Sequence, residues 1–201
     1  MEVLQAIRKR RSVRAFGQEP IGDEVLAGLV DAARLAPSAA NMQPLEYVAV
    51  SDPALCQAVF DCLKWAAYTH PVGTPAPGQT PTAYLVVLVR QEYKAGIGSA
   101  YDVGAALMSA ILLAQSQGIA SCWLKSINAP RLTQILGVPE GLELDSVLAL
   151  GRPGEECALV ELGPDKEGRE VIRYWRDETG RQFVPKRALS RILHKNRHGG
   201  R

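Results

Sequence analysis

Metal-binding and disulfide patterns are missing from this chain of 201 residues. No two of its four cysteines form a C-x-x-C pair, and its three histidines do not combine with them at a zinc-site spacing. We therefore expect no metal site, and we expect reduced, mostly buried thiols of a cytoplasmic protein. The cysteines are Cys56, Cys62, Cys122 and Cys157.

Nucleotide-binding and nucleophile motifs are missing as well. The sequence has no G-x-G-x-x-G after a strand pattern, no G-x-x-x-x-G-K-[ST] and no G-x-S-x-G. The pair Gly96-x-Gly98 lacks the third glycine and is typical of a loop. A Rossmann unit, a phosphate-binding P-loop and a hydrolase nucleophile elbow are thus disfavoured.

Long apolar runs and a large charge excess are also lacking. The most apolar stretch, Val103 to Ala114, is too short to span a bilayer, and Met1 to Ile7 is too short and polar for a signal peptide. A net charge of +2, without a recognition motif or interleaved aromatics, argues against nucleic-acid binding. We expect a cytoplasmic protein with no membrane or nucleic-acid partner.

The remaining composition is that of an ordinary globular chain, with 47% hydrophobic and 22% charged residues. Helix and strand patterns alternate without repeats or a composition break, which predicts one α+β domain over residues 1–201. Residues 70–81, rich in proline and glycine, predict a loop. The helix over Asp102 to Gln117 is apolar nearly all round, which predicts full burial. Predicted helices are Glu2 to Lys9, Asp23 (as cap) to Leu35, Pro53 to Trp65, Asp102 to Gln117, Ala129 to Leu136 and Ala188 to Lys195; predicted strands are Tyr47 to Val50, Ala83 to Val89, Ile119 to Leu124, Ser146 to Gly151 and Glu170 to Tyr174.

Positive charge is concentrated near the start of the chain. Arg10, Arg11 and Arg14 place three guanidinium groups around the hydroxyl of Ser12, which suits a phosphate or a carbonyl-rich ring. A polar segment over 36–44 and a basic tail over 184–189 complete a pattern that favours a phosphorylated, planar cofactor. Taken alone, the arginines are also typical of an exposed helix end, and Arg14 of a surface ion pair with Glu19.

Several motifs, in order along the whole chain, resemble those of the nitroreductase family of FMN-dependent oxidoreductases. The opening resembles R-R-S-x-R-x-F, and the later motifs follow at the expected places. They are Arg10-Arg11-Ser12-Val13-Arg14-Ala15-Phe16, Pro37-Ser38-x-x-Asn41-x-Gln43-Pro44, Asp102 to Ala106, Ser121-Cys122-Trp123-Leu124, Leu150-Gly151-Arg152-Pro153, Tyr174 to Asp177 and Val184-Pro185-Lys186-Arg187. The resemblance implies a central, mainly antiparallel sheet flanked by helices, in an entwined homodimer.

The resemblance also implies roles for particular residues toward FMN. Arg10 and Ser12 match positions that hold the phosphate, Arg11 matches a contact to the ribityl-phosphate region, and Arg187, helped by Lys186, matches a contact from the tail. Arg14 matches the residue beside flavin N1 and the C2 carbonyl, where a cation stabilises the reduced form. Pro37, Ser38 and Asn41 match positions that approach from the partner subunit, with Gln43 close by, although Ser38 and Asn41 are equally typical of a helix end. Near Leu124 and Lys125, a backbone N–H is implied against flavin N5.

The implied activity is oxidation of NADH or NADPH and reduction of a flat acceptor, such as a nitroaromatic or a quinone, in a ping-pong cycle. Three alternatives remain at this point: a specialised flavin enzyme on the same fold (a dehalogenase, an ene-type reductase or a flavin-consuming enzyme), a non-catalytic FMN-binding protein, and a nucleic-acid binder. The loop over 70–81 departs from the asparagine-bearing loop of many relatives, which leaves the substrate open.

Overall fold

Antiparallel strands form the centre of the fold. The computed structural model describes residues 1–66, 73–93 and 98–200. Its helices are α1 (Val3–Lys9), α2 (Asp23–Arg34), α3 (Pro53–Phe60), α4 (Gly98–Ser116), α5 (Ala129–Leu136) and α6 (Leu189–Ile192), with 3₁₀ turns at Ala39–Asn41 and Gln91–Tyr93. Its strands are β1 (Phe16–Gly17), β2 (Leu45–Val50), β3 (Ala83–Arg90), β4 (Ala120–Leu124), β5 (Leu142–Pro153), β6 (Cys157–Glu161), β7 (Trp175–Arg176) and β8 (Gln182–Lys186).

The central sheet has the strand order β1-β5-β3-β2, with β4 also paired to β5, and each of these pairings is antiparallel. Every residue from Ala83 to Val89 in β3 is buried, because helices cover both faces of the sheet there. This explains the uninterrupted apolar run of that strand. The expected α+β class, with a mainly antiparallel sheet flanked by helices, is confirmed.

Two apolar clusters lie on opposite faces of the sheet. On one face, Leu29 of α2 and Leu107 of α4 pack in the same cluster as Leu85. On the other face, Val59 of α3 and Leu132 of α5 share a cluster with Tyr84. Alternate residues of β3 thus serve different helix layers, as the two-residue period of a strand requires.

Helix α4 is less buried than its composition predicts. Val103, Leu107 and Ala110 are buried against the sheet. Tyr101 is 71% exposed and Met108 is 40% exposed, so the prediction of full burial is wrong for the chain by itself. The sheet and its neighbouring helices cover one side of α4 and leave apolar side chains on the other. Within the described residues, no helix is long and apolar enough to cross a bilayer.

Local signals located several element ends correctly. The Asp52 carboxylate caps α3 by accepting a hydrogen bond from the backbone N–H of Leu55 at 2.8 Å. Gly137 ends α5 in the left-handed region, with φ of 62°. Several boundaries differ from the prediction. Gly22, not Asp23, is the N-cap of α2, and α3 ends at Phe60 rather than Trp65. The Asp23 carboxylate instead accepts from the Ser51 hydroxyl, and tight turns after Phe60 end α3. Three elements begin earlier than predicted: α4 at Gly98, β2 at Leu45 and β5 at Leu142.

The C-terminal segment forms a second sheet, in which β8 pairs parallel to β6 and antiparallel to β7. The expected strand over Glu170 to Tyr174 is wrong, because that stretch consists of bends and turns before β7. The expected helix over Ala188 to Lys195 shortens to the four residues of α6, whose N-cap has no side-chain hydrogen bond. Of the predicted loop over 70–81, residues 70–72 lie outside the described residues, and 73–81 have no regular structure apart from turns.

Candidate functional site

The arginine-rich loop is fixed to the central sheet through its backbone. After α1 ends at Lys9, the chain runs beside β4, where Ser12 bridges Ser121 and the Val13 N–H donates to the Ser121 carbonyl at 3.0 Å. Val13, Ala15 and Phe16 are buried. Because alternate residues of an extended chain point to opposite sides, this burial directs Ser12 and Arg14 away from the core.

Arg10 and Arg11 have no carboxylate partner among the described residues. Arg11 is buried, its Nε has no hydrogen-bond partner, and one of its terminal amino groups donates to the Arg10 carbonyl. Burial, and next the neighbouring charge of Arg10, lower the pKa of Arg11. Throughout the described part of the chain, no salt bridge joins either arginine to a carboxylate. An anionic ligand would relieve this arrangement, since buried charges require a partner.

Arg14 is held by contacts from the far end of the chain. Its Nη1 donates to the Gln182 side-chain oxygen at 3.3 Å and to the Ser12 carbonyl at 3.4 Å. Its guanidinium carbon lies 4.8 Å from the centre of the Tyr174 ring. The buried Nε of Arg14 has no partner. The unused N–H groups of Arg11 and Arg14 thus fit a ligand that combines a phosphate with a ring bearing acceptor atoms.

A buried carboxylate, that of Glu155, contacts the backbone of the arginine-rich loop. The Glu155 side chain, 4% exposed, accepts from the backbone N–H of Arg14 and forms a salt bridge with Arg176, whose Nη2 lies 2.6 Å from its Oε2. The sequence reasoning missed both Glu155 and Gln182. Neither stands in a motif, and only the folded chain brings them against residues 12–14.

The second polar cluster forms a tight loop between α2 and β2. The Ser38 hydroxyl accepts from the Gln43 N–H at 3.0 Å, and the Ala39 N–H donates to the Asp102 carboxylate of α4 at 2.9 Å. Asn41 and Gln43 adopt positive φ angles of 55° and 48°. Such angles in residues other than glycine cost energy and concentrate at functional sites.

A cavity of about 150 Å³ lies beside this loop, lined by Pro37, Ser38, Gln43, Tyr47 and Asp102 among others. Burial raises the pKa of Tyr47 to about 12, so this phenol is neutral at ordinary pH. Across the described residues, no hydrogen bond or salt bridge joins the loop over 37–43 to residues 10–14. The loop and the arginines are therefore not bonded directly to each other in one chain.

Lys186 and Arg187 of the basic tail lie at and just after the end of β8. Lys186 ends β8, and Arg187 lines a cavity of about 280 Å³ together with Lys166 and Arg191. No described hydrogen bond or salt bridge connects Lys186 or Arg187 with residues 10–14. From Gln182 to Arg187 the chain advances ~16 Å, at the rise of an extended strand.

The end of β4 presents two of the predicted residues in different ways. Leu124 is buried in the core. The Lys125 side chain is exposed, and its ammonium group lies 2.7 Å from the Asp145 carboxylate. Lys125 therefore contributes its side chain to a surface ion pair, and its main chain remains the group of interest.

The thiols near the arginines are unreactive by their environment. All four cysteines are free. Burial raises the pKa of Cys122 to about 11, and burial together with Glu155 raises the pKa of Cys157 to about 11. Both are protonated at neutral pH, which leaves no thiolate nucleophile at this site.

Comparisons with known proteins agree on one family. Residues 7–152 match the model of the Nitroreductase family. A protein of Archaeoglobus fulgidus with the provisional name NADH dehydrogenase/NAD(P)H nitroreductase is 30% identical over 180 residues, which cover 84% of this chain and 98% of that protein. The iodotyrosine deiodinase of Nematostella vectensis is 26% identical over 188 residues, covering 80% of this chain and 70% of that protein. A solved structure from Desulfovibrio desulfuricans, provisionally named a nitroreductase and in complex with FMN, is 27% identical with a TM-score of 0.64, and the match covers 77% of this chain and 88% of that one.

Proposed function

Since the chain belongs to the nitroreductase family, we propose that it uses NADH or NADPH to reduce a flat electron acceptor, such as a nitroaromatic or a quinone. The expected class, an NAD(P)H-dependent flavin oxidoreductase with FMN as cofactor, is confirmed by the family match and by the neighbours that bind FMN. The observation that carries the proposal is the set of guanidinium groups at residues 10–14 that have no carboxylate partner among the described residues.

Arg10 and Ser12 hold the phosphate of the cofactor in this proposal, and Arg11 supports its ribityl-phosphate region. The uncompensated charge of Arg10 and Arg11 supports this assignment, because a dianionic phosphate requires several charged donors to replace its water. Lys186 and Arg187 are assigned to the same phosphate by resemblance. Among the described residues, no hydrogen bond or salt bridge joins them to residues 10–14, so a shared phosphate would be the link between the two basic segments.

Arg14 faces the ring of the cofactor in this proposal. Its guanidinium contacts are an amide oxygen, a carbonyl oxygen and an aromatic ring, all of which are uncharged. The positive charge is therefore available to a ligand. A fixed cation beside a ring that gains electrons favours the electron-rich form without reorganisation during the reaction.

When bound, FMN supplies the two-electron transfer from NADH or NADPH to the acceptor, in two half-reactions at one site. The chain supplies orientation and charge. The backbone N–H near Leu124 and Lys125, at the end of β4, is assigned to flavin N5. A hydrogen bond from this main-chain group would orient the ring. The buried thiols and the absence of a nucleophile motif are consistent with a protein that binds and orients the cofactor and performs no covalent chemistry itself.

A homodimer completes the site in this proposal. Pro37, Ser38, Asn41 and Gln43 approach the cofactor from the partner subunit, which agrees with the lack of any hydrogen bond or salt bridge between them and residues 10–14 among the described residues. The exposed Tyr101 and Met108 on α4 supply apolar surface for such an interface.

Reductive dehalogenation is a second candidate. It is favoured by the 26% identity to an iodotyrosine deiodinase over 188 residues. The same electron donors and the same FMN contacts would serve it, and only the acceptor would differ.

The test is an anaerobic reduction of the purified, FMN-loaded protein. We expect bleaching of the flavin absorbance on addition of NADH or NADPH, followed by reoxidation with a nitroaromatic or a quinone. Halogenated phenols are included among the oxidants, and release of halide without nitroaromatic turnover would favour the second candidate. Protein that does not take up FMN, or that neither nicotinamide reduces, would contradict the proposed function.

A further inference from the structure

A buried glutamine joins the C-terminal segment to the arginine loop. Gln182, the first residue of β8, is 2% exposed. Its side-chain oxygen accepts from Nη1 of Arg14, and its side-chain nitrogen donates to the Ser12 carbonyl, each at 3.3 Å. One side chain thus contacts the two residues that the proposed function assigns to the ring and to the phosphate of FMN.

An amide side chain satisfies both contacts at once. A guanidinium has donors and no acceptor, and a carbonyl oxygen has no donor, so the group between them must accept on one side and donate on the other. A carboxylate at position 182 would neutralise Arg14 and repel the Ser12 carbonyl. An aliphatic side chain would leave both groups without this partner in a buried place.

The Glu155 carboxylate, which contacts the arginine-rich loop, has its charge paired with Arg176 and not with Arg14. Glu155 accepts from the backbone N–H of Arg14, but its charge is paired with Arg176. Among the described residues, no salt bridge reaches the Arg14 guanidinium. Gln182 therefore anchors Arg14 without cancelling its charge, which a carboxylate in the same place would do.

We propose that Gln182 is a positioning residue that fixes Arg14 beside the flavin ring with its charge uncompensated, so that the C-terminal segment sets how much more tightly the protein binds reduced than oxidised FMN. This inference rests on the proposed function, because it assumes that Arg14 faces the ring. The family match covers residues 7–152, so Gln182 lies outside it, while its partners Ser12 and Arg14 lie inside it.

The experiment compares the FMN affinities of four forms of the full chain. They are the wild type, Gln182→Glu, Gln182→Asn, and the matched control Gln134→Glu, which makes the same chemical change on the exposed face of α5. Binding of oxidised FMN is measured by fluorescence titration, and the reduction potential of bound FMN by anaerobic dye equilibration. Together they give the ratio of the affinities for reduced and oxidised FMN.

We expect Gln182→Glu to lower that ratio about tenfold, which for a two-electron couple is a potential lower by about 30 mV. Gln182→Asn, one methylene shorter, should lower the ratio less, because its amide cannot reach both partners. Gln134→Glu should leave the ratio unchanged. Two further forms, Arg14→Met with and without Gln182→Glu, should have the same ratio, because the charge on which Gln182→Glu acts is gone.

A purely structural role for Gln182 would lower the midpoint of urea unfolding but leave the ratio of affinities as in the wild type. That result in either variant overturns the proposal, as does an effect of Gln182→Glu that persists with Arg14→Met. If Gln182→Glu does not fold, Gln182→Asn decides the question on the same terms. Wild-type protein that binds no FMN would contradict the proposed function itself, which is a different outcome.

Discussion

The central sheet and the C-terminal sheet differ in what holds them together. In β3, all seven residues from Ala83 to Val89 are buried between helices on both faces. In β6, no residue is fully buried, and Leu159 is 50% exposed. Specific polar contacts instead connect the C-terminal segment to the rest of the chain, and those of Glu155 and Gln182 reach the loop over residues 12–14. Apolar burial thus fixes the central sheet and the helices packed on it, which we call the frame. Polar contacts from the C-terminal segment position residues 12–14 of the site against that frame.

The largest effect expected from this difference is on stability. Leu85→Ala opens a cavity between β3 and the helices α2 and α4, where the side chain is fully buried. We expect the free energy of unfolding to fall by about 3 kcal/mol. The control Leu159→Ala removes the same atoms from β6 and should cost less than about 1 kcal/mol. Urea unfolding measures both, and equal losses would show that the two sheets do not differ in this way.

The next effect concerns the cofactor. Arg10→Ala removes a charged donor from the frame side of the site, and Arg187→Ala removes one from the C-terminal side. Each should weaken FMN binding by about 10- to 100-fold, the value of a charge-assisted hydrogen bond of about 1.5–3 kcal/mol. Arg8→Ala, on the exposed face of α1 outside the motif, is the matched control and should bind FMN as the wild type does.

The two arginine variants also test how the tail is placed. Among the described residues, Arg187 lines a cavity with Lys166 and Arg191 and forms no hydrogen bond or salt bridge with Arg10. If Arg10→Ala weakens FMN binding and Arg187→Ala does not, the phosphate is held by the frame alone. The assignment of the tail by resemblance would then be wrong.

Local sequence signals predicted the frame better than the C-terminal segment. The apolar run of β3, the Asp52 cap and the glycine end of α5 are each encoded in a few adjacent residues, and each was located correctly. The strand expected over Glu170 to Tyr174 was wrong, since few buried contacts there reward a strand pattern. The hydrogen bond between Arg14 and Gln182 joins residues 168 positions apart, so no local pattern in the sequence could indicate it.

A smaller effect on the free energy of unfolding is expected at two aspartates that accept backbone hydrogen bonds. Asp52→Ala removes the cap of α3 and should lower the free energy of unfolding by about 1 kcal/mol, while Asp52→Asn should retain most of it. Asp177 accepts in the same way from the N–H groups of Thr179 and Arg181, but in an exposed turn between β7 and β8. Asp177→Ala should therefore change global unfolding less than Asp52→Ala, as urea midpoints would measure.

The pH dependence of the exposed turn has a defined sign. The hydrogen bond from the Thr179 hydroxyl, followed by those from the backbone, lowers the pKa of the Asp177 carboxyl. The folded turn therefore gains stability above the ordinary carboxyl pKa and loses it as the pH falls through the lowered value. An NMR titration in which the Asp177 carboxyl has an ordinary or raised pKa would contradict this account.

The smallest effect is expected at Lys125, at the border between the frame and the site. Its side chain forms an exposed ion pair with Asp145, a type of contact worth about 0.2–1 kcal/mol. If the group beside flavin N5 is the backbone N–H, Lys125→Ala should change the FMN affinity by less than about threefold. Lys125→Pro removes that N–H and should weaken binding clearly more. FMN titrations of both variants measure this. A large loss of FMN affinity in Lys125→Ala would assign the contact to the Lys125 side chain instead of to its backbone N–H.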